Sequence, residues 1–292
     1  MPSRRSEKTL TLAGRKIHAY LWQDSTFKDE PPRFITLLFH GLMMHGGSFD
    51  HVADRLSGRG SLVVAPDLRG FGRWHYSEGE ERHGIDYKES LLDAQTILEH
   101  FSKRYPAAPR FCIGESLGSH LARRLVCTRP ELVSGLVLSS PCLRPRMMSI
   151  PLIPHAFTEL ISTGLSPGKQ INLTPFARRF LSKEPDNLNT YLDDPLSRKS
   201  LDALELIDSV RIVGSITPQA IPKSIPVLIF KGKQDCVCKD SSIKQFVESL
   251  GSDNITIHPC KGCGHLILQS AEVGDEIETV LCDWLEARIS SK

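Results

Sequence analysis

Six short apolar runs punctuate this chain, and their spacing leaves it very few folds. They are Phe34-Ile35-Thr36-Leu37-Leu38-Phe39, Leu62-Val63-Val64-Ala65, Arg110-Phe111-Cys112-Ile113, Leu136-Val137-Leu138-Ser139, Val227-Leu228-Ile229-Phe230 and Ile255-Thr256-Ile257. Runs this short and nearly continuous suit strands buried on both faces, whereas half-exposed strands alternate. Between them the periodicity turns helical: Phe49, Val52, Ala53 and Leu56, then Leu91, Leu92, Ile97, Leu98 and Phe101 within 86–104, then 241–250. Val273, Ile277, Val280, Leu281, Trp284 and Leu285 mark a terminal helix. Strands alternating with helices predict a mostly parallel sheet covered on both faces. The segments 9–13 and 16–22, joined around Gly14-Arg15, read as an antiparallel hairpin at one edge.

The rhythm breaks between Pro141 and Pro222, where prolines and irregular helical stretches replace it. This predicts a cap at 142–222 inserted between two parts of one core, 1–141 and 223–292. A chain of 292 residues has room for such an arrangement. Met147, Met148, Ile150, Leu152, Ile153, Phe157, Leu160, Ile161, Leu165, Phe176, Phe180 and Leu181 give the cap ample apolar surface. Most of it is needed to bury the cap on the core; the remainder suits a pocket for a flexible acyl chain. A net charge of +2, with no basic tract beyond Arg4-Arg5, gives no reason to expect a nucleic-acid partner. The first residues carry no apolar signal-peptide core, and no apolar run reaches membrane-spanning length. Eight cysteines without an export signal predict reduced thiols and a cytoplasmic location.

One of the six strands runs into Gly114-Glu115-Ser116-Leu117-Gly118, and a helical stretch, Leu121 to Val126, follows directly. A strand that reverses this sharply into a helix lifts the residue at the bend into a strained conformation. Glycines on either side let the two backbones pass. Ser116 is thereby expected at the carboxyl edge of the sheet, where open α/β sheets carry their chemistry. Alone the pattern is a common one; its context gives it weight.

Two other strand ends supply matching groups. Val227–Phe230 is followed by Lys231-Gly232-Lys233-Gln234-Asp235, and the last strand by a loop ending at Gly264-His265. A serine hydroxyl is a poor nucleophile until a base takes its proton, and a histidine near its ordinary pKa can do so at neutral pH. A carboxylate on the other ring nitrogen holds the tautomer and steadies the imidazolium. Ser116, Asp235 and His265 are therefore the expected nucleophile, acid and base. The backbone N–H groups of Leu42, after His40-Gly41, and of Leu117 are the expected oxyanion donors. His40 reads as an interior histidine that shapes its turn and His120 as structural, while His45 has no assigned role.

With these pieces in hand, the chain resembles α/β-hydrolases of the monoacylglycerol lipase and lysophospholipase type, a group classed with serine aminopeptidases. The resemblance rests on His40-Gly41-Leu42, Pro66-Asp67-Leu68-Arg69-Gly70-Phe71-Gly72, Gly114–Gly118, Asp193-Asp194-Pro195-Leu196, Gly232-Lys233-Gln234-Asp235 and Gly264-His265. It implies an α/β-hydrolase fold, a mostly parallel eight-stranded sheet with helices on both faces and an inserted cap. It also implies a carboxylic-ester hydrolase for a small-molecule acyl ester such as a monoacylglycerol or lysophospholipid, working through an acyl-enzyme without cofactor or metal. An acyl-thioesterase or short-chain carboxylesterase is the alternative, and a non-catalytic ligand-binding member of the fold the alternative of another class. Transient contact of the cap with a membrane surface and the oligomeric state stay open.

Two positions depart from the family pattern: Arg73-Trp74-His75-Tyr76 follows Gly72 where a small residue is usual, and Ser119 stands where glycine is usual. Four cysteines, Cys236, Cys238, Cys260 and Cys263, flank the acid and the base. They are expected as ordinary buried or half-buried thiols brought near one another, since C-x-C is tight for zinc and a metal would crowd the triad.

Overall fold

In a computed structural model the described residues are 4–27, 30–76, 84–141, 143, 170–180, 185–215, 219–269 and 273–289. An eight-stranded sheet runs in the order β1-β2-β4-β3-β5-β6-β9-β10. The edge hairpin is β1 (Arg4–Leu12) and β2 (Arg15–Gln23), and β2 also pairs antiparallel with β4 (Ser61–Pro66). From there all pairing is parallel: β4 with β3 (Phe34–Phe39), then β5 (Arg110–Glu115), β6 (Gly135–Ser139), β9 (Val227–Gly232) and β10 (Ile255–Cys260). The fold is that of an α/β-hydrolase.

Continuous apolar character follows from this layering, because successive side chains of a strand point to opposite faces. Ile35, Leu37 and Phe39 of β3 enter one core cluster, while Phe34 and Leu38 enter the other. The first is closed by helices α3 (Tyr87–Arg104), α4 (Leu117–Thr128) and α8 (Asp240–Glu248), through residues such as Ile97, Leu121 and Phe246. The second is closed by α1 (Asp50–Ser57) and α9 (Asp275–Ile289), through Val52, Leu56, Leu281 and Trp284. Full burial of each such side chain is worth about 1.5–3 kcal/mol against leaving it in water. Asp86 caps α3 by accepting the Glu89 amide at 2.9 Å, so the helix starts one residue inside the stretch read from sequence.

Several boundaries differ from the sequence reading. The hairpin strands are longer, since their exposed polar residues pair as edge backbone without an apolar signal. His258 and Pro259, expected in a loop, belong to β10. An edge strand tolerates a proline because one row of its amides needs no partner. Between Ser139 and Val227 the described chain adds nothing to the large sheet. It forms instead a small antiparallel pair, β7 (Gln170–Asn172) with β8 (Ser200–Asp202), and helices α5 (Thr174–Phe180), α6 (Pro185–Asp193) and α7 (Ala203–Gly214). Of the apolar residues expected in the cap, Phe176 and Phe180 lie in α5. Met147, Met148, Ile150, Leu152, Ile153, Phe157, Leu160, Ile161, Leu165 and Leu181 lie outside the described residues.

Candidate active site

At the end of β5 the backbone turns at Ser116 with φ 54° and ψ −117°, a region most side chains avoid. Its neighbours leave no alternative. A Cβ on Gly114 would lie 2.4 Å from the Gly118 carbonyl oxygen, and one on Gly118 would lie 2.0 Å from that of Phe39. The Ser116 amide donates to the Ser139 carbonyl at 2.9 Å, tying the bend to β6. Ser119, the residue in place of a usual glycine, adds a clasp: its hydroxyl lies within hydrogen-bonding distance of the Gly114 and Ser139 carbonyls, at 2.8 and 3.0 Å.

The three groups expected from sequence meet at this edge. His265 Nε2 lies 2.8 Å from Ser116 Oγ, and His265 Nδ1 lies 2.9 Å from Asp235 Oδ2. With the proton on Nδ1, the ring donates to Asp235 and accepts from the serine. The other oxygen of Asp235 accepts the amides of Val237 and Cys238, at 2.7 and 2.9 Å, which fixes the carboxylate toward the ring. Asp235 and His265 are both buried. Burial by itself pushes the Asp235 carboxyl up, but the His265 charge, its hydrogen bond and the two amides carry it below its usual value. Burial likewise pushes His265 down, and the Asp235 charge and hydrogen bond, with the charge of Glu115, carry it above its usual value.

The turn after β3 brings Gly41 and Leu42 to the same cavity as Ser116 and Leu117. Neither the Leu42 nor the Leu117 amide has a hydrogen-bond partner among the described residues, and both residues line the cavity with Ser116. The surrounding loop is heavily braced. His40 is wholly buried, its Nε2 accepting the Leu68 amide at 3.0 Å and its Nδ1–H donating to the Gly41 carbonyl at 2.9 Å; burial pushes it down to about 4, so it stays neutral. His45 Nδ1 accepts the Gly47 amide at 3.1 Å, and its Nε2–H donates to Asp194 Oδ2 at 2.7 Å. Asp194 also accepts the Leu196 amide at 2.8 Å, so the Asp-Pro-Leu element anchors this loop. Gly41 itself donates its amide to Gln269 Oε1 at 2.7 Å.

The unusual residues after Gly72 have structural work. Arg73–Tyr76 form a short helix, α2. Arg73 pairs with buried Asp67 at 3.1 Å, and the Trp74 indole donates to the Asp67 carbonyl at 3.1 Å. His120 lines the cavity and packs on Phe246 with ring centres 5.2 Å apart, outside the relay.

The cavity beside Ser116 measures about 70 Å³ and is walled by apolar groups including Leu42, Phe176, Leu206, Val210, Val213 and Leu266. Across Leu266 lies a second cavity of about 480 Å³ with a more polar wall, including Tyr20, His45, Tyr191, Asp194, Ser197 and Gln269. There the hydroxyls of Tyr20 and Tyr191 and Nε2 of Gln269 are buried without a partner among the described residues.

The cysteines correct one expectation. Cys238 is disulfide-bonded, not a free thiol, and its Sγ lies 3.9 Å from His265 Nδ1. Cys260 and Cys263 are free and adjacent, and their mutual hydrogen bond together with burial raises Cys260. The four sulfurs do not converge. Among the described residues, the donor group that closes within 4.8 Å is Asp235, Cys238 and His265, that is, the acid and base with one sulfur.

A family model described as serine aminopeptidase, S33, matches residues 30–272. Mouse monoglyceride lipase is 25% identical over 282 residues, covering 95% of this chain and 89% of the mouse protein. The monoacylglycerol lipase of Mycolicibacterium smegmatis is 27% identical over 273 residues, covering 92% of this chain and 93% of its own length. Among solved structures, a soluble variant of the Saccharomyces cerevisiae monoglyceride lipase has a TM-score of 0.76 at 18% identity, over 99% of this chain and 95% of that one. A thermostable carboxyl esterase from Bacillus coagulans has a TM-score of 0.75 at 21% identity, over 99% of both chains. At these identities the two structures speak to fold, and the fold agrees with the sequence match: the chain belongs to the serine aminopeptidase S33 family of α/β-hydrolases.

Proposed function

We propose that this hydrolase cleaves the ester of a lipid-like acyl substrate, such as a monoacylglycerol or lysophospholipid, with Ser116 as nucleophile, His265 as base and Asp235 as acid. The observation that carries the reading is the unbroken relay of 2.8 and 2.9 Å contacts in the cavity that Leu42 and Leu117 also line. Ser116 Oγ attacks the ester carbonyl while His265 Nε2 takes its proton. The negative charge that develops on the carbonyl oxygen is met by the Leu42 and Leu117 N–H groups. Collapse expels the alcohol, protonated by His265, and leaves the acyl-enzyme. Water, deprotonated by the same imidazole, then releases the acid and restores the serine.

Two cavities that differ in polarity support an amphiphilic ester. The more apolar one suits the acyl chain, and the one across Leu266, with more polar groups in its wall, offers partners to a polyol or other polar alcohol. Residues 142–222 serve in this reading as the cap that selects substrate and meets a membrane surface transiently. A peptide substrate has less support, because among the described residues no carboxylate lines the apolar cavity to receive an N-terminal amine. The small volume of that cavity favours a short-chain carboxylesterase as the second reading. Among the described residues no helix is long and apolar enough to cross a membrane. A cytoplasmic location draws support from the free thiols of Cys112, Cys127, Cys236, Cys260, Cys263 and Cys282, and the Cys238 disulfide runs against it.

A chain-length series of glyceryl and p-nitrophenyl esters, with fluorophosphonate labelling, tests the proposal. Ser116→Ala is expected to abolish labelling and, like His265→Ala, to lower kcat on the order of 10⁴-fold or more. Activity within tenfold of wild type in either variant would sink the assignment. Highest kcat/KM on acetyl or butyryl esters would favour the short-chain reading.

A further inference from the structure

Glu115, between Gly114 and the nucleophile, is fully buried and stands outside the proton relay. Its Oε1 accepts hydrogen bonds from the Ile267 amide at 2.6 Å, the Leu268 amide at 3.0 Å and the Ser139 hydroxyl at 2.8 Å. Its Oε2 accepts the Gln269 amide at 2.6 Å. A carboxylate taken out of water is tolerable only when donors replace its hydration, and here four do. Amides cannot accept a proton, so three successive N–H groups turned onto one side chain form a cradle for an anion. That cradle begins two residues after His265. Its last member continues the connection, because Gln269 Oε1 accepts the Gly41 amide at 2.7 Å, and Gly41 leads directly into Leu42.

We infer that Glu115 is a positioning residue of this site: its carboxylate fixes the base-bearing loop and, through Gln269, the oxyanion turn against the nucleophile's own strand, and its charge favours the imidazolium formed when His265 takes the serine proton. The inference rests on the serine-hydrolase reading above. Among the described residues the groups facing His265 are few. Asp235 and disulfide-bonded Cys238 face it from the turn after β9. Ser116 and Glu115 come from the end of β5, and His120 of α4 lines the same cavity. After burial, which lowers it, His265 is raised by the Asp235 charge and hydrogen bond and then by the Glu115 charge. Burial raises the Glu115 carboxyl above its ordinary value, and its four donors offset that only in part.

Glu115→Gln tests both parts, because the new NH₂ group sets donor against donor at one of the amides and the charge is lost. Folded Glu115→Gln is expected to lose roughly ten- to a hundredfold in kcat, the cost of misplacing reacting groups by a fraction of an ångström. The acid limb of its kcat/KM profile should move to lower pH by about half a unit or more. Glu115→Asp keeps the charge but retracts it by one methylene, so its midpoint should stay near wild type while kcat remains low. Ser116→Ala is run alongside. Turnover within tenfold of wild type there overturns the hydrolase reading, and this inference with it. Inactive Ser116→Ala with a folded Glu115→Gln whose kcat and midpoint match wild type overturns the role of Glu115 alone. A lower kcat with an unmoved midpoint overturns the charge component. If Glu115→Gln does not fold, Ser139→Ala carries the test: a severalfold lower kcat at an unchanged melting temperature supports the role, and wild-type kcat refutes it.

Discussion

Gly118 gives the sharpest test of how the elbow is built. An added Cβ would lie 2.0 Å from the Phe39 carbonyl oxygen, 2.6 Å from its carbon and 2.8 Å from the His40 carbonyl oxygen. All three are backbone atoms at the end of β3, so no side chain can swing away. Restoring an ordinary carbon–oxygen contact requires roughly 1.3–1.6 Å of separation between α4 and β3. The same movement pulls Leu117 away from Leu42, which follows His40-Gly41. Overpacking of this kind costs about 1–3 kcal/mol, and occasionally more. For a domain of this size that corresponds to a fall in melting temperature of roughly 2–5 °C. Misplacing an oxyanion donor costs on the order of 10²-fold in kcat. Gly118→Ala should therefore melt lower and turn over a p-nitrophenyl ester far more slowly. Gly274→Ala, where a Cβ meets nothing within 4 Å, should stay within about 1 kcal/mol of wild type. A Gly118→Ala protein with wild-type melting temperature and kcat within threefold of wild type would refute the close-packing argument.

His265 is raised above its ordinary 6.5, and only its neutral form can accept the serine proton, so kcat/KM should climb with pH through a midpoint above that value; a midpoint below 6 in a pH 5–9 profile counts against it. Asp235→Asn removes the charge that favours the imidazolium and inverts the tautomer preference, so kcat should fall on the order of 10⁴-fold, and an effect below tenfold would exclude Asp235 as the acid. His40, held at about 4 against an ordinary 6.5, binds a proton more readily unfolded than folded between those values. The stability it allows is complete above pH 6.5 and is lost as pH falls toward 4, with a slope of at most about 1.4 kcal/mol per pH unit. Urea unfolding at pH 4.5 and 7 should show a smaller pH dependence in His40→Gln, and an equal one would refute the assignment.

The proposed catalytic groups were legible because each occupies a strand end and carries its chemistry in its side chain. Serine between glycines, a carboxylate after β9 and a histidine after β10 are visible in order, whatever the detail of the loops. What stayed hidden depends on backbone partners. Glu115 looks like a turn residue until the amides of Ile267, Leu268 and Gln269 close on it, and amides leave no mark in sequence. His45 could not be assigned because its partner, Asp194, arrives from a distant segment whose path no periodicity predicts. The strands Gln170–Asn172 and Ser200–Asp202 are three residues each, too short for an alternation to register. Pro259 misled by its type, since proline reads as a strand breaker except on an edge.

The elbow also predicts that the proposed nucleophile can be removed without loss of the fold. A residue held at φ 54° carries on the order of 1–3 kcal/mol of strain, so something other than its own side chain must hold it. Ser116 Oγ has one partner among the described contacts, His265, and contributes nothing to the bend. The bend is held instead by the Ser116 amide on the Ser139 carbonyl, by the two contacts of Ser119, and by the contact of Gly114 with Gly118. Alanine at position 116 meets the same backbone with the same Cβ, so its strain is no greater than that of serine. Catalytic placement and structural support are carried by different atoms here. Loss of activity in Ser116→Ala at an unchanged melting temperature therefore reports on chemistry, whereas the same loss in Gly118→Ala reports on geometry.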